Sequence, residues 1–343
     1  MRNLLSYLFA AIVILTLASP IVLIQHLEYK SNFSGFQHEE FILPFEIMNP
    51  DSIYNMPKKL KEISGLSHYK DQQFFAVNDE KGILYLYDLA TEQIISKMDF
   101  GKSGDYEAIT KYKNLIYIAE SNGNIKVIDN SRQIKVGEFK TSLSKRNDIE
   151  GMAYDTVNDV LLLACKGDIE KKGKNKNSKG IYSFDPSTKE KDVEKYRILK
   201  LKEEVDSLKR FNLFDNFINN TNTTSRIKHF APSGITFDPI TGYLYILANR
   251  GKILVVLDQE KVALGVYFLS HKIFGQPEGI SFDEAGNLYI SNEAKSTKAN
   301  IIQFNRKETE RKTLKDVLDI DLTLGTEKSD STEIKDSLNL KKN

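Results

Sequence analysis

A five-residue motif recurs along the chain, and its spacing constrains the fold more than any other feature. Each copy has serine or glutamate in third position, glycine or alanine in fourth and an apolar residue in fifth. The copies are Glu62-Ile-Ser-Gly-Leu66, Asp105-Tyr-Glu-Ala-Ile109, Asp148-Ile-Glu-Gly-Met152, Ala231-Pro-Ser-Gly-Ile235 and Gln276-Pro-Glu-Gly-Ile280. Their starts are 43, 43, 83 and 45 residues apart. A period of about 43 residues is typical of one four-stranded propeller blade per repeat.

The residues after each motif have the composition of short strands separated by turns. A first strand continues from the motif, and a second follows a turn such as Asp283-Glu-Ala-Gly-Asn287. The second strands are apolar runs at 74–77, 115–118, 161–164, 243–247 and 288–290. A third strand follows a glycine, as after Gly82 and Gly123. These β-branched and aromatic runs predict an all-β fold, a five-bladed β-propeller over residues 46–306.

The 83-residue interval leaves room for a sixth blade, which is the alternative interpretation. We favour an insertion at 201–230, because Leu201, Val205 and Leu208 have near-helical spacing and no second and third strand pair fits there. The repeat before it also carries a lysine-rich loop at 167–180. The last repeat supplies only three strands, so we expect residues 39–47 to add the fourth and close the ring, which removes the sheet edges.

The first residues of the chain differ in kind from the repeats. Residues 4–24 contain no charged side chain, a length that spans a bilayer as a helix. Arg2 precedes this segment, so the remainder of the chain is expected outside the cytoplasm. A signal peptide cleaved before Ser19 is the alternative. We therefore expect a single-pass protein of the cell membrane with a periplasmic or extracellular propeller, a linker at 25–45 and a disordered polar tail at 307–343.

Composition excludes several classes of function. The 48 basic and 47 acidic residues balance, so nothing favours a nucleic-acid partner. Cys165 is the one cysteine, which excludes an internal disulfide and a thiolate zinc site. The five histidines show no metal-ligand pairing, and no Gly-x-Ser-x-Gly elbow is present, so catalytic residues stay unassigned. We expect a monomer.

Polar residues interrupt the apolar runs where first strands start and second strands end, and propeller geometry brings these positions to one face. The metal-ligand candidates are Glu107, Glu150, Glu278, Asn78, Glu120, Asn249 and Asn292. The ligand-binding candidates are Glu62, Ser64, Asp105, Asp148, Lys166, Ser233, Arg250 and Glu293. Acids dominate the set, and carboxylates close together need positive compensation or raised pKa values. Calcium, a cationic ligand, raised pKa values and purely structural capping all remain open.

At these motifs the chain resembles the SdiA-regulated (YjiK-like) family of bacterial membrane-anchored propeller proteins. The resemblance rests on Glu62-Ile-Ser-Gly-Leu66, Asp148-Ile-Glu-Gly-Met-Ala-Tyr154, Pro232-Ser-Gly-Ile235, Pro277-Glu-Gly-Ile-Ser-Phe282 and Leu288-Tyr-Ile-Ser-Asn-Glu293. It implies a propeller behind an N-terminal membrane segment and says little about activity. The lysine-rich loop and the insertion are departures from the family pattern. Glu62, Asn249 and Asn292 are also similar to the calcium ligands of gluconolactonase-like propellers, an analogy of architecture alone.

Two functions of different classes follow from these observations. The first is a membrane-tethered binding module, which holds calcium and an unknown small molecule or protein in its acidic mouth. The second is a calcium-dependent hydrolase of lactone, ester or phosphoester substrates, with a rim carboxylate as base. We favour the binding module, because no histidine stands beside the acids for proton transfer.

Overall fold

The computed structural model describes residues 35–38, 40–169, 177–188, 191–209, 221–295 and 298–308. The expected membrane segment at 4–24, the start of the 25–45 linker, half of the 167–180 loop and nearly all of the tail lie outside these ranges. Within them, no helix has the length and apolar character needed to cross a membrane.

Strands make up about half of the described chain. In order they are β1 (Gly35–Gln37), β2 (Ser52–Asn55), β3 (Ile63–Lys70), β4 (Gln73–Asn78), β5 (Ile83–Asp88), β6 (Gln93–Asp99), β7 (Tyr106–Tyr112), β8 (Leu115–Glu120), β9 (Asn124–Asp129), β10 (Ile134–Lys140), β11 (Ile149–Asp155), β12 (Val160–Asp168), β13 (Lys179–Phe184), β14 (Glu194–Leu199), β15 (Gly234–Phe237), β16 (Leu244–Ala248), β17 (Ile253–Leu257), β18 (Ala263–Phe268), β19 (Pro277–Phe282), β20 (Leu288–Asn292) and β21 (Asn300–Phe304). The helices are a 3-10 turn at Lys58–Leu60, α1 (Leu201–Lys209) and α2 (Thr221–Lys228).

These strands form five antiparallel sheets, so the prediction of a five-bladed all-β propeller is confirmed. Blades 1 to 3 are β3–β6, β7–β10 and β11–β14, blade 4 is β15–β18, and blade 5 is β19–β21. The innermost strands β3, β7, β11, β15 and β19 contact one another in a closed ring. Inner strands are buried on both faces because each blade packs between two neighbours, which explains apolar runs such as 161–164.

The ring closes with a different segment from the one predicted. Strand β2 pairs with β21, with Ser52 opposite Gln303 and Asn55 opposite Asn300. Among the described residues of 39–47 none is in a strand, so that prediction was wrong. Phe45 and Ile47 are apolar because they pack into the core between blades 4 and 5.

Blade 4 carries a fifth strand that the sequence did not predict. Strand β1, from the expected linker, pairs antiparallel with β18, with Gly35 opposite Tyr267. A Cβ at residue 35 would lie 2.3 Å from the Val266 carbonyl oxygen, so the close approach requires glycine. Phe36 packs edge-to-face on Phe268, with ring centroids 5.9 Å apart.

The long interval between repeats three and four holds the two helices and, within the described residues, no additional strand. On α1, Leu201, Val205 and Leu208 face the same core cluster as Phe36. Arg226 fixes α2 to blade 4, because its Nε donates to the Gly251 carbonyl oxygen at 2.6 Å. The insertion interpretation of 201–230 therefore agrees with the sheets observed.

Candidate functional site

The five motifs lie together at one end of the blades, which we call the motif face. Each motif starts an innermost strand, and its small fourth residue lets neighbouring strands approach closely. At Gly279, for example, a Cβ would lie 2.8 Å from the Cβ of Leu66 in the adjoining blade. At Gly234 it would lie 2.7 Å from the Glu278 carbonyl oxygen. The tight ring leaves a narrow passage along the axis.

The third residues of the motifs surround one cavity on this axis. They are Ser64, Glu107, Glu150, Ser233 and Glu278. The cavity volume is about 10 Å³. That is roughly the space that one water molecule occupies, and a single metal ion is of similar size. Sequence reasoning placed these five residues on one face, and the structure brings them to one small cavity.

Partial burial changes the pKa values of two of the three axial glutamates, Glu107 and Glu278. Burial, then Glu150 and Asp105, raise the pKa of Glu107 to about 9. Burial, then Glu150 and Glu293, raise the pKa of Glu278 to about 8. Both groups are therefore largely protonated at neutral pH.

Glu150 differs from the other two because it has an internal counter-ion. The Lys166 ammonium lies 2.5 Å from its Oε1 atom. Burial raises the pKa of Glu150, Lys166 lowers it, and the result is about 7. Lys166 was predicted at the rim as a ligand-binding residue, and its contact is with this carboxylate.

The two serines of the ring join neighbouring blades. Ser64 Oγ donates to the Tyr106 carbonyl oxygen at 2.6 Å. Ser233 Oγ donates to the Pro277 carbonyl oxygen at 2.8 Å and accepts a hydrogen bond from the Asn249 backbone N–H at 3.1 Å. Their hydroxyl protons are therefore committed to inter-blade bonds, while their oxygens still line the cavity.

A short polar chain leads from the axis into blade 4. Asn249 Nδ2 donates to Glu278 Oε1 at 2.6 Å, and Lys252 Nζ donates to Asn249 Oδ1 at 2.6 Å. Lys252 is buried, and burial lowers its pKa to about 8. The sequence analysis did not select Lys252. A lysine directly before the apolar strand β17 does indicate a charged group at the edge of the core.

Other candidate residues at the ends of second strands bond to side chains of their own blade rather than to the cavity. Glu120 forms an ion pair with Lys126 at 2.9 Å and accepts hydrogen bonds from Asn122 and Asn124 at 2.9 and 3.0 Å. Burial opposes ionisation there, but these donors hold the pKa of Glu120 below its usual value.

The amides of Asn78 and Asn292 also make local contacts. Asn78 Oδ1 accepts from the Lys81 backbone N–H at 3.0 Å, and Asn292 Nδ2 donates to Asn300 Oδ1 at 2.9 Å. Among the residues that line the axial cavity within the described chain, neither amide nor Glu120 is present.

The remaining rim candidates surround the mouth without meeting on the axis. Glu62 pairs with Lys61 at 2.7 Å, Gln276 donates to Glu293, and Ser121 donates to Asp105. Asp148 adopts a positive φ of 57° at the start of its motif, and Arg250 is exposed.

Asp79, which directly follows β4, is a further acid of this rim. Burial, then Glu62, raise its pKa, and its Oδ1 atom is buried without a hydrogen-bond partner among the described residues. Across those residues, no three His, Cys, Asp or Glu side chains form a ready-made metal-ligand set.

Comparison with known proteins identifies one matching family and several solved structures of low sequence identity. Residues 53–296 match the SdiA-regulated family. No curated protein sequence matches the chain. Among solved structures, a luciferin-regenerating enzyme is 10% identical, with 76% of this chain and 98% of that chain covered and a TM-score of 0.43. The aldose sugar dehydrogenase of Streptomyces coelicolor in its PQQ-bound form is 10% identical, covering 75% and 97%, with a TM-score of 0.44.

Proposed function

The chain belongs to the SdiA-regulated family, and we propose that it is a membrane-tethered binding module that holds a divalent cation in its axial cavity. One observation carries this proposal: three partly or fully buried glutamates, Glu107, Glu150 and Glu278, have raised pKa values and surround a space of about 10 Å³. Buried charge requires a partner, and the cavity has room for one ion rather than for an organic substrate.

The charge of the cavity selects the class of cation. Glu107, Glu150 and Glu278 carry three negative charges when ionised, and Lys166 supplies one positive charge. The remaining two negative charges match one divalent ion. Carboxylate and hydroxyl oxygens surround the space, which favours a hard cation, and calcium tolerates irregular oxygen geometry better than magnesium does. Binding requires the glutamates to release their protons, so calcium and protons compete for the cavity.

The tether and the outward location complete the proposal. The uncharged stretch at 4–24, with Arg2 before it, supports a single membrane span and a propeller outside the cytoplasm. The acids of the rim, with Arg250, would then receive a small molecule or protein partner above the bound cation.

Thermal unfolding of the full-length protein with chelator and with calcium tests the cation. We expect a stabilisation of about 2.7 kcal/mol at a hundredfold excess of calcium over the dissociation constant. Glu107→Gln and Glu278→Gln should abolish most of this gain, because each keeps the shape and removes a charge. Glu284→Gln, in an exposed turn far from the cavity, is the matched control and should respond as the wild type does.

A fourth variant separates the axial set from the wider set predicted from sequence. Glu120→Gln should lower stability by breaking the Lys126 ion pair but leave the calcium response intact, because Glu120 does not line the cavity. An absent calcium shift in the wild type, with both axial variants melting higher, would mean that the acids merely repel one another. The cation proposal would then be refuted.

A further inference from the structure

The register of blade 4 shows from which side the chain enters the propeller. Consecutive strand pairs connect Gly234, Leu247, Leu254, Tyr267 and Gly35 in one row across the sheet. Gly234 is the fourth residue of a motif, so the row lies at the motif face. Strand β1 therefore begins at that face and runs away from it. Gly35, the first described residue, therefore lies on the same side of the propeller as the axial cavity.

The opposite end of the propeller carries the other exit of the chain. Strand β21 ends at Phe304, which pairs with Leu288, and Leu288 pairs with Phe282 at the far end of the innermost strand β19. Lys307, just beyond, pairs with Glu46 at 2.5 Å. Gly35 and Lys307 thus lie at opposite faces of the propeller. Of these two faces, the motif face is the one at which the described chain begins.

The distance available to the connection is short. Residue 24 ends the uncharged stretch and residue 35 begins β1. Eleven residues span at most about 40 Å when fully extended. This reach keeps Gly35, at the motif face, within about 40 Å of the bilayer if residues 4–24 cross it.

The insertion adds a basic groove next to this entry point. Strand β14 ends at Leu199 in the row of Asp168 and Lys179, at the motif end of blade 3, and α1 follows at once. Lys209 on α1 holds its ammonium 5.1 Å from the ring centroid of Phe36 in β1. The helices are therefore fixed directly beside the strand by which the chain enters.

The groove between α1 and α2 has a volume of about 420 Å³. Four lysines line it, Lys200, Lys202, Lys209 and Lys228, against the acids Glu203 and Asp206. Lys202 and Lys228 are exposed. Apolar side chains of both helices form part of its wall, so the groove combines a positive rim with an apolar surface. This combination fits a phosphate-bearing headgroup and the glycerol region beneath it.

We infer that this groove docks on anionic phospholipid headgroups of the membrane that the chain itself spans. The inference rests on the proposed tether, and it adds an orientation: the axial cavity and its acidic mouth face the bilayer. A ligand of the cavity would then be collected from the membrane surface or from the gap above it. The four lysines of the groove attract the anionic membrane surface. The acids of the rim repel that surface and so keep the entrance of the axial cavity open.

Fluorescent labels at two positions of the full-length protein test the orientation. Ser225→Cys places a label on the exposed face of α2, and Val157→Cys places one in the turn between β11 and β12 at the opposite face. Val157 is 90% exposed, and the native Cys165 is buried, so labelling is selective. The protein is inserted into vesicles of phosphatidylcholine with about a third phosphatidylglycerol, and lipids bearing a spin label act as quenchers.

We expect several-fold stronger quenching at residue 225 than at residue 157, reduced by high salt and by Lys202→Glu. Lys113→Glu, an exposed reversal at the opposite face, is the control and should change nothing. Equal quenching at both sites, or stronger quenching at 157, overturns the orientation. Unchanged quenching in pure phosphatidylcholine, or release by millimolar inorganic phosphate, overturns lipid headgroups as the occupant. Flotation of the vesicles reports the tether separately, since protein that does not float refutes the tether itself.

Discussion

Replacement of Glu107 by glutamine should make the protein less sensitive to alkaline pH. The folded protein holds a proton on this group up to a pKa of about 9, whereas the unfolded chain releases it near the ordinary value of 4.5. Between these values the folded state binds more protons than the unfolded state. Its free energy of unfolding must therefore fall as pH rises.

The size of the effect follows from one proton. Each proton held only by the folded state changes the free energy of unfolding by about 1.4 kcal/mol per pH unit. From pH 6 to pH 8 the wild type should lose about 3 kcal/mol through this group, and Glu107→Gln should lack that loss.

Urea unfolding at pH 6, 7 and 8 in chelator measures the difference. The plot of unfolding free energy against pH should be flatter for Glu107→Gln than for the wild type, while Glu284→Gln should run parallel to the wild type. Parallel lines for all three proteins would refute the reasoning, because Glu107 would then titrate alike in both states. A stability that rises with pH in the wild type would refute it as well.

Three further perturbations have definite outcomes. Lys166→Met should raise calcium affinity while lowering the stability of the cation-free protein, because Glu150 loses its counter-ion; calorimetry and urea unfolding measure the two effects. Ser233→Ala should cost about 1–2 kcal/mol, since the Pro277 carbonyl oxygen loses its buried donor, and calcium binding should persist. Tyr54→Pro should lower the unfolding free energy of the whole domain by about 3 kcal/mol, because it removes a backbone donor from the strand that closes the ring; an unchanged denaturation midpoint would contradict this.

The fold was predictable because the motif recurs at a fixed interval and each copy marks an innermost strand. The closing strand was not, since β2 has four residues and alternates between partly buried and exposed positions. Phe45 and Ile47 gave a stronger apolar signal, yet they cover the core as an irregular segment. Strand β1 has three residues and depends on the edge of β18, which no local pattern reveals.

The site was predictable in part for the same reason. Third positions of the motif converge because propeller symmetry places them at the same depth, so Glu107, Glu150 and Glu278 could be grouped from sequence. The ends of second strands sit farther from the axis, where side-chain partners decide their direction. Glu120 forms an ion pair with Lys126 instead of lining the cavity. The sequence alone does not show which of these two environments its side chain takes.

Calorimetric titration of calcium into the full-length protein at pH 7.5, repeated in two buffers of different ionisation enthalpy, tests the exchange of protons for a cation. The difference between the two observed heats gives the number of protons released when the ion binds. With pKa values of about 9 and 8 for Glu107 and Glu278, both groups are largely protonated at this pH, so binding should release at least one proton per ion. Glu107→Gln should release fewer. Calcium binding without proton release, or no binding at millimolar calcium, would contradict the account.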